Sequence, residues 1–145
     1  MIPIEVACPP EEAFSFVARD YFENHARWDP DVIELRKLTE GPVGVGTRGQ
    51  ELRRFGTTQR IEFEVTEYVP GRRLALRDAP GIFLLHRSYD FEPLPRGTRV
   101  TFTFSVSPRT LPGRLLLPVI SRLIRRTVTR NIAGRLKALL DSRAP

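Results

Sequence analysis

The sequence predicts an α+β protein in which a curved antiparallel sheet of about seven strands wraps around one long C-terminal helix. Several segments alternate apolar and polar residues one by one, as half-buried strands do. Residues 112–142 change to helical spacing, and two short helical segments follow the first strand. A sheet with one apolar face and an amphipathic helix bury those faces against each other. We therefore expect the helix to lie across the concave side of the sheet.

The strands follow from alternation, and the turns between them follow from glycine and proline. The clearest strand is 58–69, in which Ile61, Phe63 and Val65 share one face. The glycine-rich segment 41–46 has no Lys-Ser/Thr after it, so it is interpreted as a turn and not as a phosphate-binding loop. Further turns are predicted at Gly56, 70–73, 79–81 and 93–97. The predicted strands are 2–7, 32–38, 47–55, 58–69, 73–77, 82–92 and 98–107.

The helices are indicated by proline, acidic residues and apolar spacing. Pro10 suits a first helical turn, and a second short helix is predicted around 21–26. Pro118 is expected to kink the C-terminal helix or to begin its main part. The apolar stripe of that helix consists of Ile120, Leu123, Ile124, Val128, Ile132, Leu136 and Leu139. Arg122, Arg126 and Arg130 lie opposite, either as a solvated basic face or as a surface for anionic lipid headgroups.

Length and composition limit the kinds of site this chain can hold. The 145 residues predict one domain over 1–145, which can bury a core without a disulfide or metal. The single cysteine, Cys8, excludes an intramolecular disulfide and is predicted to be an inert buried thiol. With only His25 and His86 besides, neither a metal site nor a bound cofactor is predicted.

Charge and hydropathy limit the partners in the same way. The net charge is +6, but the arginines are scattered and not interleaved with aromatic residues, which argues against nucleic-acid binding. The longest apolar run, 115–120, is too short to span a bilayer, and no signal peptide is visible. We therefore expect a cytoplasmic protein without a transmembrane segment. No feature predicts its oligomeric state.

A resemblance to a known family rests on six segments that occur in order along nearly the whole chain. The sequence resembles the SRPBCC, or START-like, superfamily, and within it the polyketide cyclase/dehydrase-like group. The resemblance implies a helix-grip fold with an apolar cavity for a lipid, polyketide or isoprenoid. It carries no shared catalytic motif to this chain. The segments are "CPPEEAFSFVA", "RWDPDVIEL", "GPVGVGTRGQEL", "VTEYVPGRRLAL", "YDFEPLPRGTRVTFTF" and "RNIAGRLKALLDS".

The segment "LLHRSYDFEP" (84–93) holds the residue types of a hydrolytic triad, namely His86, Ser88 and Asp90. Side chains at i, i+2 and i+4 of one strand stand parallel, about 7 Å apart, and cannot form a relay of about 2.6–3.2 Å contacts. These three residues are predicted to face outward. Alternation then places Arg87 and Tyr89 on the concave side.

Arg87 has several interpretations. Facing a hollow, it could hold a carboxylate, an enolate or a phosphate. Alternatively, it pairs with Glu51 or another acid, or a bulge rotates it outward. Phe102 is expected beside Phe91 and Phe104 on the concave face, and it is included with Arg87 and Tyr89 as a ligand contact.

The remaining candidates lie on helices and loops. Thr127 and Asn131 interrupt the apolar stripe of the C-terminal helix and are predicted to point into the cavity as polar groups. Trp28 either packs the helices on the sheet or forms part of the cavity wall. His25 is predicted to be an exposed loop residue. Gly49 interrupts the alternation of strand 47–55, so the facing of that strand is not assigned.

These observations lead to three hypotheses. The first is a binding protein that holds a hydrophobic small molecule between the sheet and the C-terminal helix. The second is a polyketide cyclase, aromatase or dehydratase, in which Arg87 polarises a carbonyl and Tyr89 donates a proton. The third is an interaction protein whose arginine face contacts a membrane surface or the ribosome. We favour the first.

Overall fold

The computed structural model describes residues 1–55, 57–78 and 83–143. The predicted turns at Gly56 and 79–81, and the predicted strand start at Ile82, lie outside these residues. Within the described chain the α+β helix-grip prediction is confirmed, with seven antiparallel strands in one sheet and a long helical segment at the C-terminal end. No helix in the described ranges is long and apolar enough to cross a bilayer.

The sheet runs in the order β1-β7-β6-β5-β4-β3-β2. Most observed strand ends lie within one or two residues of the predicted ones, because alternation identifies the middle of a strand better than its ends. Residues 83–94 pair with 97–108 without a register shift. The strands are β1 Ile2–Val6, β2 Val32–Lys37, β3 Arg48–Phe55, β4 Thr57–Val69, β5 Arg73–Asp78, β6 Phe83–Leu94 and β7 Gly97–Pro108.

Two short helices connect β1 to β2. The first, α1 (Pro10–Phe14), has proline at its start and two acidic residues in its first turn, and it runs into a π-helical turn over Ser15–Arg19. The second, α2 (Tyr21–Trp28), extends two residues beyond its predicted end. This extension adds Arg27 and Trp28 to the helix.

The C-terminal segment consists of α3 (Leu111–Thr127), a π-helical turn over Val128–Ile132, and α4 (Ala133–Asp141). Thr110 caps α3, since its hydroxyl accepts a hydrogen bond from the Gly113 amide at 3.2 Å. Pro118 lies inside α3 and not at its start.

The core lies between the concave sheet face and the helices. Phe14 of α1 packs edge-on against Phe91 of β6 at 5.3 Å between ring centroids, and Phe16 contacts Trp28 at 5.7 Å. Cys8 is fully buried, as predicted, and burial raises the pKa of its thiol. The thiolate is therefore disfavoured.

Gly49 marks a close approach and not a bulge, since β3 pairs with β4 without a shift from Arg48 to Phe55. A Cβ at Gly49 would lie 2.4 Å from Cζ of Phe63 and 2.7 Å from Cε1 of Phe22. Gly49 therefore faces the core, and the alternation of β3 turns Glu51 and Arg53 the same way.

Candidate functional site

A cavity of about 360 Å³ lies between the concave face of the sheet and α3. This volume is within the range of small-molecule sites. The lining includes a polar set and an apolar helical set of residues. The polar cluster consists of Asp29, Glu51, Arg53, Asp78 and Arg87; the helix wall consists of Ile120, Ile124, Thr127, Val128 and Ile132. Apolar sheet residues complete the lining, among them Ile61, Phe83, Leu85, Phe102, Phe104 and Val106.

Arg87 faces the cavity, as the alternation of β6 predicts, and pairs with Asp78 of β5. Its Nε lies 2.7 Å from Oδ2 of Asp78, and its Nη2 donates to Oδ1 at 3.0 Å. Nη1 donates to the hydroxyl of Tyr21 at 3.2 Å. Burial alone lowers the pKa of Arg87, but Asp78 and Tyr21 raise it well above its ordinary value. Of the interpretations left open for Arg87, the structure shows the pairing with an acid, and the acid is Asp78 and not Glu51.

A second ion pair joins Arg53 of β3 to Asp29, the residue after α2. Both terminal nitrogens of Arg53 donate to Oδ2 of Asp29, at 2.8 and 2.7 Å. Oδ1 of Asp29 accepts the amide of Asp31 at 3.2 Å. Burial raises the pKa of Asp29, and the charge of Arg53 opposes that rise. The carboxylate is therefore held by a guanidinium and a backbone amide.

His25 lies beside this pair, so the prediction of an exposed loop histidine is wrong. It is on α2, 1% exposed, and its ring stacks on Tyr21 at 4.6 Å between centroids. Its Nε2 is 3.7 Å from both Asp29 Oδ2 and Glu51 Oε2. Burial, and then the charges of Arg87 and Arg53, lower its pKa well below the ordinary value. The imidazole is therefore neutral at physiological pH.

Glu51 is the member of the polar cluster without a close partner. It is 2% exposed, and its Oε1 lies 3.7 Å from Nη1 of Arg53, beyond hydrogen-bond distance. Its Oε2 has no hydrogen-bond partner among the described residues. Burial raises the pKa of Glu51, although the charges of Arg87 and Arg53 lower it. A carboxyl group that lines a cavity in this way can still form a hydrogen bond with a ligand.

The structure brings four of the six predicted site residues to the cavity, namely Arg87, Tyr89, Phe102 and Thr127. Tyr89 is 1% exposed, and burial raises its pKa to about 12, so its hydroxyl keeps its proton. The Tyr89 ring contacts Phe102 edge-on at 5.1 Å between centroids. These residues belong to β6, β7 and α3 and line the same cavity.

The other two predicted residues lie elsewhere. Trp28 is fully buried against Phe16, Tyr21 and His25, which is the packing interpretation of its role. Asn131 is exposed, so the expectation that it points into the cavity is wrong. Asn131 lies within the π-helical turn, where the helical period departs from the regular one, and its neighbour Ile132 is buried, as its place in the apolar stripe predicts.

The residues of the rejected triad lie on the convex side of β6. His86 is exposed, and Asp90 pairs with Arg73 at 2.8 Å. Ser88 shares the convex side with His86 and Asp90 but is buried. Its neighbours on the adjacent strands are Ala75 and Thr103. The three side chains form no relay.

Sequence reasoning missed Asp78, Asp29 and the role of Glu51. Asp78 had a usable signal, since it continues the period of Leu74 and Leu76 and shares their buried face. Asp29 had none beyond its position after Trp28. Among the described residues, no group of three histidine, cysteine or carboxylate side chains is arranged to hold a metal ion.

Comparisons with solved structures show the same fold. The ZhuI aromatase/cyclase from Streptomyces sp. R1128 superposes with a TM-score of 0.78 at 14% identity, over 99% of this chain and 93% of that chain. Ara h 8.0201 superposes with a TM-score of 0.70 at 14% identity, over 97% of this chain and 95% of that chain. A protein from Thermus thermophilus superposes with a TM-score of 0.70 at 22% identity, over 95% of this chain and 97% of that chain.

The sequence itself matches a family over almost its entire length. No curated protein sequence is similar enough to count as a relative. The sequence profile described as "polyketide cyclase / dehydrase and lipid transport" matches residues 2–141. With the helix-grip fold already established, this match shows that the chain belongs to the polyketide cyclase/dehydrase and lipid transport family of the SRPBCC superfamily.

Proposed function

We propose that this protein binds a hydrophobic small molecule, of lipid, polyketide or isoprenoid type, in the cavity between its sheet and α3. The observation that carries this proposal is the cavity of about 360 Å³. Apolar side chains form most of its wall, and a few polar groups converge on one part of it, as in small-molecule sites generally. The family description, which includes lipid transport and polyketide chemistry, supports the same class of ligand.

Different parts of the wall have different roles. The helix wall and the aromatic residues Phe102 and Phe104 contact the apolar body of the ligand. Burying that body contributes about 25 cal/mol per Å² of apolar surface removed from water, before the costs of association. Tyr89, Arg87 and Thr127 supply polar contacts that orient it.

A cavity-filling substitution tests the proposal. Ile124→Trp places a large ring in the cavity, whereas Leu123→Trp places the same ring at a residue of α3 that is 47% exposed and does not line the cavity. Binding of an uncharged fluorescent probe such as Nile red is measured by titration, and folding by circular dichroism. We expect the control to bind like the parent protein and Ile124→Trp to lose at least about tenfold in affinity, or ~1.4 kcal/mol. Unchanged binding by a folded Ile124→Trp protein would contradict the proposal.

A second candidate function is proton-transfer catalysis of the cyclase or dehydratase type in the same cavity. It is favoured by one observation, that Tyr89 and Glu51 both line the cavity. Arg87 is less suited to polarising a carbonyl than the sequence suggested, because Asp78 and Tyr21 already engage it. Turnover of a poly-β-keto thioester that falls at least about 100-fold in Tyr89→Phe would support this role; turnover that is unchanged would exclude Tyr89 as the proton donor.

The outer face of α3 supports contact with an anionic membrane surface. Leu111, Leu115 and Val119 are 70%, 77% and 64% exposed. Between Leu111 and Leu140 the sequence contains six arginines and one lysine but no acidic residue. Exposed leucines beside arginines are typical of helices that lie in a lipid interface. A second copy of the chain would instead bring like charges together.

Vesicle co-sedimentation tests this contact. We expect binding to phosphatidylglycerol-containing vesicles that weakens with salt, and little binding to pure phosphatidylcholine. Leu115→Ser/Val119→Ser should weaken the binding, whereas Val45→Ser, at a residue 70% exposed far from α3 in sequence, should not. Equal binding to both kinds of vesicle would contradict a role for the arginines.

A further inference from the structure

The charge of the cavity differs in sign from the charge of the protein. The chain as a whole carries a net charge of +6. The lining of the cavity, however, contains four carboxyl groups and only two guanidinium groups, an excess of two negative charges when all are ionised. The four acids are Asp29, Asp31, Glu51 and Asp78, and the two bases are Arg53 and Arg87.

Both guanidinium groups already have carboxylate partners. Arg87 contacts Asp78 with two nitrogens, and Arg53 donates two hydrogen bonds to Asp29. A ligand carboxylate could bind either arginine only in competition with a buried ion pair, and it would also face Glu51. The sequence-based hypothesis that Arg87 holds a carboxylate, enolate or phosphate therefore loses its main support.

A ligand cation is also disfavoured. Glu51 lies 3.7 Å from Arg53 Nη1, and Arg87 lines the same cavity. An ammonium group placed at Glu51 would thus approach two guanidinium groups while losing its hydration. An uncharged polar group avoids both the repulsion and the larger desolvation cost.

From this arrangement we infer that the cavity selects an uncharged ligand whose polar end is a hydroxyl or carbonyl group hydrogen-bonded to Glu51. The inference deepens the proposed function and rests on it. The Glu51 carboxyl accepts from a hydroxyl when ionised and donates to a carbonyl when protonated. Its Oε2 is the one carboxyl oxygen among the described cavity residues known to be buried without a hydrogen-bond partner. The apolar remainder of the ligand lies against the helix wall.

The test compares three ligands with the same apolar chain and different ends, namely decan-1-ol, decanoate and decylamine. Displacement of Nile red at pH 7.5, below the aggregation concentration of each ligand, gives their relative affinities. We expect decan-1-ol to bind at least about tenfold more tightly than either charged ligand, which corresponds to ~1.4 kcal/mol. Parallel titrations of Ile124→Trp identify displacement that does not involve the cavity.

Variants of Glu51 test the contact itself. We expect Glu51→Leu to lower the affinity for decan-1-ol about three- to tenfold, because one hydrogen bond is lost. The affinity for decanoate should not fall, because decanoate does not depend on that hydrogen bond. Glu51→Gln, which keeps a donor and an acceptor, should stay within about twofold of the parent protein for decan-1-ol. The Gln variant and the ligand order of the parent protein remain informative if Glu51→Leu does not fold.

The possible failures are distinguishable. If Nile red and all three ligands fail to bind the parent protein, the proposed function itself fails. If the ligands bind but decanoate or decylamine binds as tightly as decan-1-ol, the selectivity inference is overturned while the proposed function stands. If a folded Glu51→Leu protein keeps full affinity for decan-1-ol, Glu51 is not the contact.

Discussion

The polar cluster and the helix wall face the same cavity but are built differently. The members of the polar cluster come from three strands and the end of α2, and Glu51, Asp29 and Asp78 are each at most 3% exposed. The helix wall belongs to α3 and the turn after it, where leucines on the outer side are up to 77% exposed. One side of the cavity is therefore held by buried ion pairs and close packing, and the other by a single helix with a free outer face. We interpret the first as the recognition side and the second as the side that can move.

The largest expected effect concerns the buried ion pair. Asp78→Ala leaves the guanidinium of Arg87 buried without its carboxylate, which typically costs about 3–5 kcal/mol in the free energy of unfolding. Denaturant titration measures the change.

The matched control for Asp78→Ala is Glu64→Ala. This change breaks the exposed pair between Glu64 and Arg77, the residue before Asp78, and should cost only about 0–1 kcal/mol. The double variant Asp78→Leu/Arg87→Met should recover most of the lost stability, because it removes both charges. Equal losses for Asp78→Ala and Glu64→Ala would contradict the interpretation that a buried ion pair stabilises the polar-cluster side of the cavity.

A smaller effect is expected where the sheet approaches α2. In Gly49→Ala the new methyl group would overlap Phe63 and Phe22, and overpacking of this kind costs typically about 1–3 kcal/mol. Gly44→Ala is the control, since no atom lies within 4 Å of the position of its new Cβ. In thermal unfolding, Gly49→Ala should have a lower Tm than Gly44→Ala. Equal Tm values would mean that the contact between β3 and α2 has room for a methyl group at residue 49.

The dependence of stability on pH tests the burial of His25. Because the folded state lowers the pKa of His25, only the unfolded state takes up this proton below about pH 6.5. The free energy of unfolding therefore decreases as the pH falls, by up to ~1.4 kcal/mol per pH unit from this group. The pKa values of Glu51 and Asp29 are raised in the folded state, so these carboxyl groups stay protonated up to a higher pH than in the unfolded state. At lower pH these two groups therefore make the free energy of unfolding increase as the pH falls.

His25→Phe isolates this contribution. Both ring nitrogens of His25 lack hydrogen-bond partners among the described residues, so the substitution breaks no hydrogen bond. We expect a shallower loss of stability between pH 6.5 and 5 than in the parent protein. An unaltered slope in His25→Phe would show that another group is responsible.

The smallest effect is expected on the outer face of α3. Leu115→Ala removes a side chain that is 77% exposed, so the free energy of unfolding should change by no more than about 0.5 kcal/mol. Leu140→Ala, a fully buried leucine of α4, should cost about 2–5 kcal/mol. A large loss in Leu115→Ala, measured by denaturant titration, would mean that this face is covered in solution.

Much of the fold could be predicted because local patterns repeat within each element. The alternation in β4, β6 and β7 identified strands and their inner faces, including the inward side of Arg87 and Tyr89. Asn131 shows the limit of the same approach. A wheel of constant period assumes a regular helix, and the π-helical turn at Val128–Ile132 breaks that assumption.

The site could be predicted only in part, because its contacts join residues far apart in sequence. His25 falls within the predicted helix 21–26, but its burial depends on contacts with Tyr21, Trp28 and Glu51 that the sequence does not show. The side of the sheet on which Glu51 lies could not be assigned from the sequence, because Gly49 interrupts the alternation of β3. The unshifted pairing of β3 with β4 shows that Gly49 does not mark a bulge.

Alternation and helical spacing predicted a curved sheet around a C-terminal helix, the concave position of Arg87 and Tyr89, and the burial of Cys8. Those properties depend on periodicity and composition, which are local. The folded chain was needed to show that Asp78 neutralises Arg87, that Asp29 neutralises Arg53, and that Glu51 is left without a close partner. An ion pair forms between groups that are close in space: neighbouring strands bring together Arg87 and Asp78, 9 residues apart in the chain, and the end of α2 brings Asp29 to Arg53 of β3, 24 residues away.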